Sequence, residues 1–172
     1  MKMTPVTARR QTGGRDDDRI ARIDIVSLRI KLKKPFVISL GRMDDAENVA
    51  VRIATRSGAS GFGECCPFRT INGESGATAR VVGDDLKASL LGQTPLDIET
   101  CLQRMDAAIY GNSSIKSAFD IALHDLAAQS AGLPLYALLG GHENNVLVTD
   151  YTVSLGDVAD MVADAVDIMN RG

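Results

Sequence analysis

The sequence predicts an α+β fold: a three-stranded antiparallel sheet, then a helical cluster, then a β/α unit. Two observations carry this expectation. Apolar residues alternate with a period near two from Ile20 to Leu32 and again from Val49 to Ile53, and from Gly73 onward the period becomes helical. From Asn145 a dense apolar segment is followed by an amphipathic helix, the opening unit of a parallel α/β sheet. Such a strand needs neighbours to pair with, so the 172-residue chain reads as the front part of a larger enzyme.

Composition sets the outer limits. With 45% hydrophobic residues the chain can bury a core, which argues against global disorder. Its 19 basic and 22 acidic residues are well mixed and leave a net charge of −3, so neither nucleic acid nor an anionic membrane is expected as a partner. Cys65, Cys66 and Cys101 form no CxxC pair and no even framework, which points to reduced thiols and a cytoplasmic location. No apolar run reaches the ~18 residues of a membrane span. Residues 1–19 are polar and lack the apolar core of a secretory signal; they are expected to form a disordered extension.

The elements follow in order. Ile20 to Leu32 reads as a strand whose apolar parity changes after Ile25, and a bulge near Ile25 would reconcile the two halves. Lys33-Lys34-Pro35 is expected to close it, leaving Phe36 to Asn48 as a polar loop. Val49, Val51 and Ile53 mark a second strand, and Ser57-Gly58 turns the chain into a short third around Gly61-Phe62-Gly63-Glu64. A first helix covers about Ser75 to Leu91, with Val82, Leu86 and Leu90 on one face. For the next, Thr94 is the expected N-cap, Pro95 the first helical residue, and Asp97 part of the first turn. Ile98, Leu102, Met105 and Ile109 form its core stripe, and Gly111-Asn112 ends it. A third helix spans about Ser114 to Ala131, and Leu133-Pro134 opens a short turn of helix closed by Gly140-Gly141. Val146 to Leu155 is the expected final strand, and the stripe from Val158 to Met169 the final helix.

Few residues suggest chemistry by themselves. His124 and Asp125 are adjacent on a helix and point about 100° apart, so Asp120, four residues before His124, is the expected partner in a surface pair. His142 reads as an exposed loop residue. Cys65-Cys66 would suit a nucleophile or a metal ligand, but no histidine lies nearby, and small buried packing thiols are the simpler reading. Gly61-Phe62-Gly63 lacks the rest of a dinucleotide fingerprint; its glycines suit a tight strand or a close backbone approach. Asp44-Asp45 and Asp84-Asp85 read as solvated charges.

Taken together, these segments resemble one family. Gly61-Phe-Gly-Glu-Cys-Cys-Pro67 followed by Asn72-Gly-Glu-Ser75 is similar to the GxGE…P…GE region of the enolase superfamily. Ser117 to Leu126, then Gly132-Leu-Pro-Leu-Tyr136 and Leu138-Leu-Gly-Gly141, resembles the signature of its muconate-lactonizing subgroup (mandelate racemase/muconate lactonizing enzyme). Thr149-Asp-Tyr-Thr-Val153 is similar to the first barrel strand of the subgroup's dipeptide epimerases, which interconvert L-Ala-L-Glu and L-Ala-D-Glu. The resemblance implies an N-terminal capping domain over residues 20–144 and the first strand and helix of an incomplete (β/α) barrel over 145–172. Two capping loops would face the substrate, Val37 to Asp45 and Phe68 to Gly73. It therefore assigns Arg42, Phe68, Arg69, Ile71 and Thr152 to the substrate side, with Arg42 or Arg69 suited to a carboxylate.

The superfamily abstracts a proton α to a carboxylate, with Mg²⁺ stabilising the enediolate. Its bases and metal ligands lie on later barrel strands, and a barrel takes roughly 250 residues. No catalytic residue and no metal ligand are therefore expected in this chain, and no tight Mg²⁺ binding; the cofactor belongs to the full-length parent. The parent is expected to carry out 1,1-proton transfer on an acidic dipeptide, while this chain alone is inactive. A cycloisomerase or o-succinylbenzoate synthase-type parent is the alternative within the superfamily. A non-catalytic module that pairs with a barrel chain in trans is the alternative outside it. The resemblance leaves homo-oligomerization of the parent open.

Overall fold

A computed structural model describes residues 18–142, 146 and 148–171. Three antiparallel strands in the order β1-β2-β3 pack one face against helices. They are β1 (Ile20–Ile38), β2 (Gly41–Thr55) and β3 (Ser60–Cys65). Among the described residues six helices follow: α1 (Arg69–Asn72), α2 (Gly76–Leu90), α3 (Ile98–Ala108), α4 (Ser113–Ala131), α5 (Leu135–Leu138) and α6 (Val158–Asn170).

The core lies between the inner sheet face and α2, α3 and α4. Ile23 and Ile25 from β1 and Val49, Val51 and Ile53 from β2 are buried there, as period two requires. Val82, Leu86, Leu90, Cys101, Met105, Phe119, Ala122 and Leu123 meet them from the helices. Burial of this set is the main favourable term in the fold.

The closest packing is made possible by two missing side chains. A Cβ at Gly61 would sit 2.1 Å from the Ala122 carbonyl oxygen, and one at Gly63 only 1.9 Å from that of Ala118. The α4 backbone thus lies directly on β3, the close approach expected from the sequence. Asp125 reinforces it: its Oδ2 accepts from the Phe62 amide at 2.9 Å.

Several expectations need correction. No bulge occurs near Ile25, because the β1–β2 register runs unbroken from Arg22↔Ala54 to Lys31↔Asp45. The parity change instead marks apolar residues on both faces, with Val26 and Ile30 about half exposed on the outer one. Nor does Lys33-Lys34-Pro35 end the strand. The register shifts between Lys31 and Phe36, which absorbs the proline, and pairing resumes at Phe36↔Met43 through Ile38↔Gly41. The expected polar loop 36–48 is therefore largely the far end of a long β-hairpin. Polar side chains misled here because a hairpin arm beyond the core is held by backbone hydrogen bonds rather than by burial.

Helix α3 begins at Ile98, with Asp97 rather than Thr94 as its cap; the Asp97 side chain accepts from the Thr100 amide at 3.3 Å. Thr94 instead accepts, through its carbonyl, from the Asp97 amide in the preceding turn. The helix ends at Ala108, ahead of Gly111-Asn112, both of which have positive φ. Helices α2 and α4 match their expected spans, and α2 starts with a capping box between Ser75 and Thr78.

Residues 1–17 of the expected N-terminal extension lie outside the described residues. Asp18 and Arg19 do not behave as loose chain: Asp18 Oδ1 accepts from the Ser57 amide at 3.0 Å, and the Arg19 carbonyl accepts from Arg56. Partial burial pushes the Asp18 carboxyl up, but hydrogen bonds from Ser57 and Thr55 outweigh it and leave it below the usual range.

The expected strand from Val146 to Leu155 is not formed by its described residues (Asn145 and Leu147 lie outside them). A parallel strand needs a neighbour on at least one side. What the segment has is the end of β1: the Leu155 amide donates to the Val37 carbonyl at 2.8 Å, and Ser154 Oγ donates to that of Pro35 at 3.3 Å. Helix α6 does form, and none of its residues is buried.

Candidate functional site

The candidate residues fall into two groups. Arg42 stands near the hairpin turn, opposite Val37 in the β1–β2 register. Val37 is also where the C-terminal segment touches the hairpin, since its amide donates to Ser154 Oγ at 3.4 Å. Thr152, exposed two residues earlier, is thereby carried toward the same end. Lys34 secures this arrangement through Asp164 of α6 at 2.5 Å, an exposed pair that raises the lysine pKa.

Arg42 is not a free guanidinium. Its Nη2 donates to Asp44 Oδ1 at 2.8 Å and its Nε to the same oxygen at 3.1 Å. The hydrogen bond lowers the Asp44 carboxyl and raises Arg42. A substrate carboxylate at Arg42 would have to compete with Asp44, which is thus more than a solvated charge. Asp45 is likewise paired, with Arg29 at 2.7 Å.

Phe68, Arg69 and Ile71 form the second group. Phe68 is the half-buried residue ahead of the one-turn helix α1, a turn missed in the expected loop 68–73. Arg69 and Ile71 are exposed, Ile71 to 70%. Gly73, at φ 76°, ends α1 in the left-handed region and turns the chain toward α4. There the buried Glu74 meets the helix start: its two carboxylate oxygens each lie 3.1 Å from the donating Ser114 amide. Asn72 joins in, its Nδ2 donating to Ser114 Oγ at 2.7 Å. Reading the sequence missed this contact, because its partners are some forty positions apart.

The remaining candidates separate cleanly. His124 Nδ1 lies 2.9 Å from Asp120 Oδ1, the expected i,i+4 pair. His142 is exposed, as expected. Cys65 is buried and its thiol is pushed up to about 11 by burial, which suits packing and not nucleophilic attack. Cys66 departs from the packing expectation: it lies just past the end of β3 and is exposed. A hollow lined by Arg22, Val26, Arg52, Phe62, Arg80 and Lys87 shares no residue with the two loops. Among the described residues no group of three or more His, Cys, Asp or Glu side chains is placed to hold a metal ion. No helix among them is long and apolar enough to cross a membrane.

This architecture matches a known family over most of its length. Residues 20–140 match the Mandelate racemase / muconate lactonizing enzyme, N-terminal domain. The chain belongs to this family, within the enolase superfamily. It is 55% identical over 153 residues to a D-Ala-D/L-Ala epimerase of Cytophaga hutchinsonii, a match covering 89% of this chain and 42% of the relative. It is 39% identical to an L-Ala-D/L-Glu epimerase of Bacillus subtilis, covering 90% of this chain and again 42% of the relative. The crystal structure of the Cytophaga hutchinsonii dipeptide epimerase, complexed with Mg and D-Ala-L-Val, superposes with a TM-score of 0.86, covering 90% of this chain and 42% of that one. The chain thus spans well under half the length of these relatives. The sheet and helices of residues 20–140 are the family's N-terminal capping domain.

Proposed function

We propose that this chain is the substrate-selecting cap, with the first β/α unit, of a dipeptide epimerase that transfers a proton at the α-carbon of the second residue of an alanyl dipeptide. The observation that carries the reading is the 55% identity, over nearly the whole chain, to a D-Ala-D/L-Ala epimerase. Under this reading residues 20–144 form the cap and 145–172 open the barrel. The hairpin end with Arg42, the turn with Phe68, Arg69 and Ile71, and the segment with Thr152 border the substrate. Mg²⁺, present with the relatives, would polarise the substrate carboxylate in the complete enzyme. The part of this chain would be to bind and enclose the dipeptide. The free thiols support a reducing cytoplasmic location.

An acidic second residue, as in Ala-Glu, is the substrate expected from Arg42; the Asp44 pair competes with it, and the likeness to a D-Ala-D/L-Ala epimerase favours a small neutral residue. Substrate preference decides between them. The product of the source reading frame, followed past codon 172, is incubated with Ala-Glu and Ala-Ala in D₂O with Mg²⁺, and loss of the α-proton signal is followed by NMR. Exchange of either dipeptide is the expected result, and exchange of neither would overturn the reading. If Arg42 binds the acidic side chain, Arg42→Ala raises KM for Ala-Glu and leaves Ala-Ala unchanged. A cycloisomerase is the second reading, supported by the TM-score of 0.83 at 25% identity to a muconate lactonizing enzyme of Pseudomonas fluorescens. A partner barrel in trans is the third, supported by the exposed apolar stripe on α6. A frame that ends without a barrel would favour it.

A further inference from the structure

Helix α4 begins without a cap of its own. Asn112, at the N-cap position, is in the left-handed region at φ 56° and makes no side-chain cap bond; its Nδ2 donates backward to the Tyr110 carbonyl. An uncapped start leaves the first helical amides without partners. Glu74 supplies the missing acceptor from another segment: it takes the Ser114 amide on both oxygens at 3.1 Å and the Ser113 hydroxyl at 3.3 Å. Glu74 is only 6% exposed, and its carboxylate sits at the positive end of a 19-residue helix.

The same cluster defines the shape of the 68–73 turn. Asn72 Oδ1 accepts from the Phe68 amide at 3.2 Å and from the Glu74 amide at 3.0 Å, while its Nδ2 reaches Ser114. No residue of α1 is buried, and a four-residue helix has no stability of its own. Apolar burial therefore cannot set the conformation of α1.

We propose that Glu74 and Asn72 are positioning residues: a polar clamp on the N-terminus of α4 that holds Phe68, Arg69 and Ile71 in their substrate-facing arrangement. The inference rests on the proposed function for the word substrate; the clamp itself does not. Glu74 fixes the clamp to the rigid helix, and Asn72 transmits that position to both ends of the turn. The residues argued to face substrate need not be buried, because their backbone is pinned from behind.

Hydrogen exchange on this 172-residue chain tests the clamp without any assay of activity. The amides to follow are those of Ile71, Asn72 and Gly73, which donate within α1, and that of Ser114. Asn72→Ala is expected to speed exchange in the turn by roughly 5- to 30-fold while Ser114 stays protected by Glu74. Glu74→Ala is expected to release both sites. Glu74→Gln keeps an acceptor for the Ser114 amide and gains a donor for the Ser113 hydroxyl, so it should recover much of the protection. Core amides such as Leu86 and Leu123, which open only on global unfolding, report any loss of overall stability and should speed up by no more than the turn does. Turn amides that do not respond to Asn72→Ala, or that Glu74→Gln releases as fully as Glu74→Ala, would overturn the proposal. If Glu74→Ala fails to fold, Asn72→Ala and Glu74→Gln decide it. A responsive turn in a protein that exchanges no dipeptide would leave the clamp standing and sink only the functional reading.

Discussion

The β3–α4 contact and the C-terminal segment present opposite solutions to placing apolar residues. In the first, two glycines let the strand and helix backbones meet, and the Ala118 and Ala122 they touch are fully buried. In the second, Val158, Val162, Val166 and Met169 repeat along α6 and remain 52–81% exposed. Both carry the amphipathic pattern of a packed helix. Amphipathicity therefore signals a partner surface; the first region buries its stripe, while Met161, Ala165 and Ile168 of α6 are only partly covered.

The strongest way to break this contrast is to put a side chain where the backbones meet. Gly63→Ala places a Cβ 1.9 Å from the Ala118 carbonyl oxygen, a rigid backbone atom. The strand or the helix must move, and we expect a loss of more than about 4 kcal/mol in urea unfolding followed by circular dichroism. A loss under about 1 kcal/mol would mean that α4 rides loosely on the sheet.

Alkaline pH sharpens the contrast through the thiols. Burial pushes both Cys65 and Cys101 from 9.0 up to about 11. Their folded-state values are raised, so the neutral thiol is favoured in the fold. That stabilisation is complete below about pH 9 and is lost as pH rises toward 11. Unfolding midpoints should fall across this window, and Cys65→Ala combined with Cys101→Ala should flatten the fall. Under native conditions at pH 8 an aromatic disulfide reagent should titrate Cys66 alone. Equal reactivity of all three would place the buried pair in contact with solvent.

A smaller effect is expected at Asp125. Its carboxylate accepts from the exposed Phe62 amide, so Asp125→Ala should cost about 1 kcal/mol. Exchange at the Phe62 amide should rise with it, and an unchanged rate would remove Asp125 from the contact.

The sequence made the packed region legible and the hairpin arm illegible, for one physical reason. Helices α2 and α4 announce themselves because Leu86, Leu90, Phe119 and Leu123 must face the core at helical spacing. Residues 36–48 face no core, so their pairing left no side-chain pattern to read. Leu28 and Ile30 mimicked a register change because both faces of β1 are apolar. For the candidate site, the family motifs pointed to the two loops as places to look. The bond from Asp44 to Arg42 and the reach of Glu74 to Ser114 were not, since each depends on side-chain direction in the folded chain.

The smallest effect should come from the surface that looks most like a core. Val162→Lys together with Met169→Lys removes two residues from the apolar stripe of α6, and neither is buried. If the stripe has no partner in this chain, stability should change by no more than about 0.5 kcal/mol. What should change is behaviour at high concentration, because an exposed apolar stripe drives association. Sedimentation velocity of the wild-type chain should show concentration-dependent growth that the double variant lacks. A stability loss above about 1 kcal/mol would instead mean that α6 already packs on its own cap. The two regions would then differ in degree of burial and not in kind.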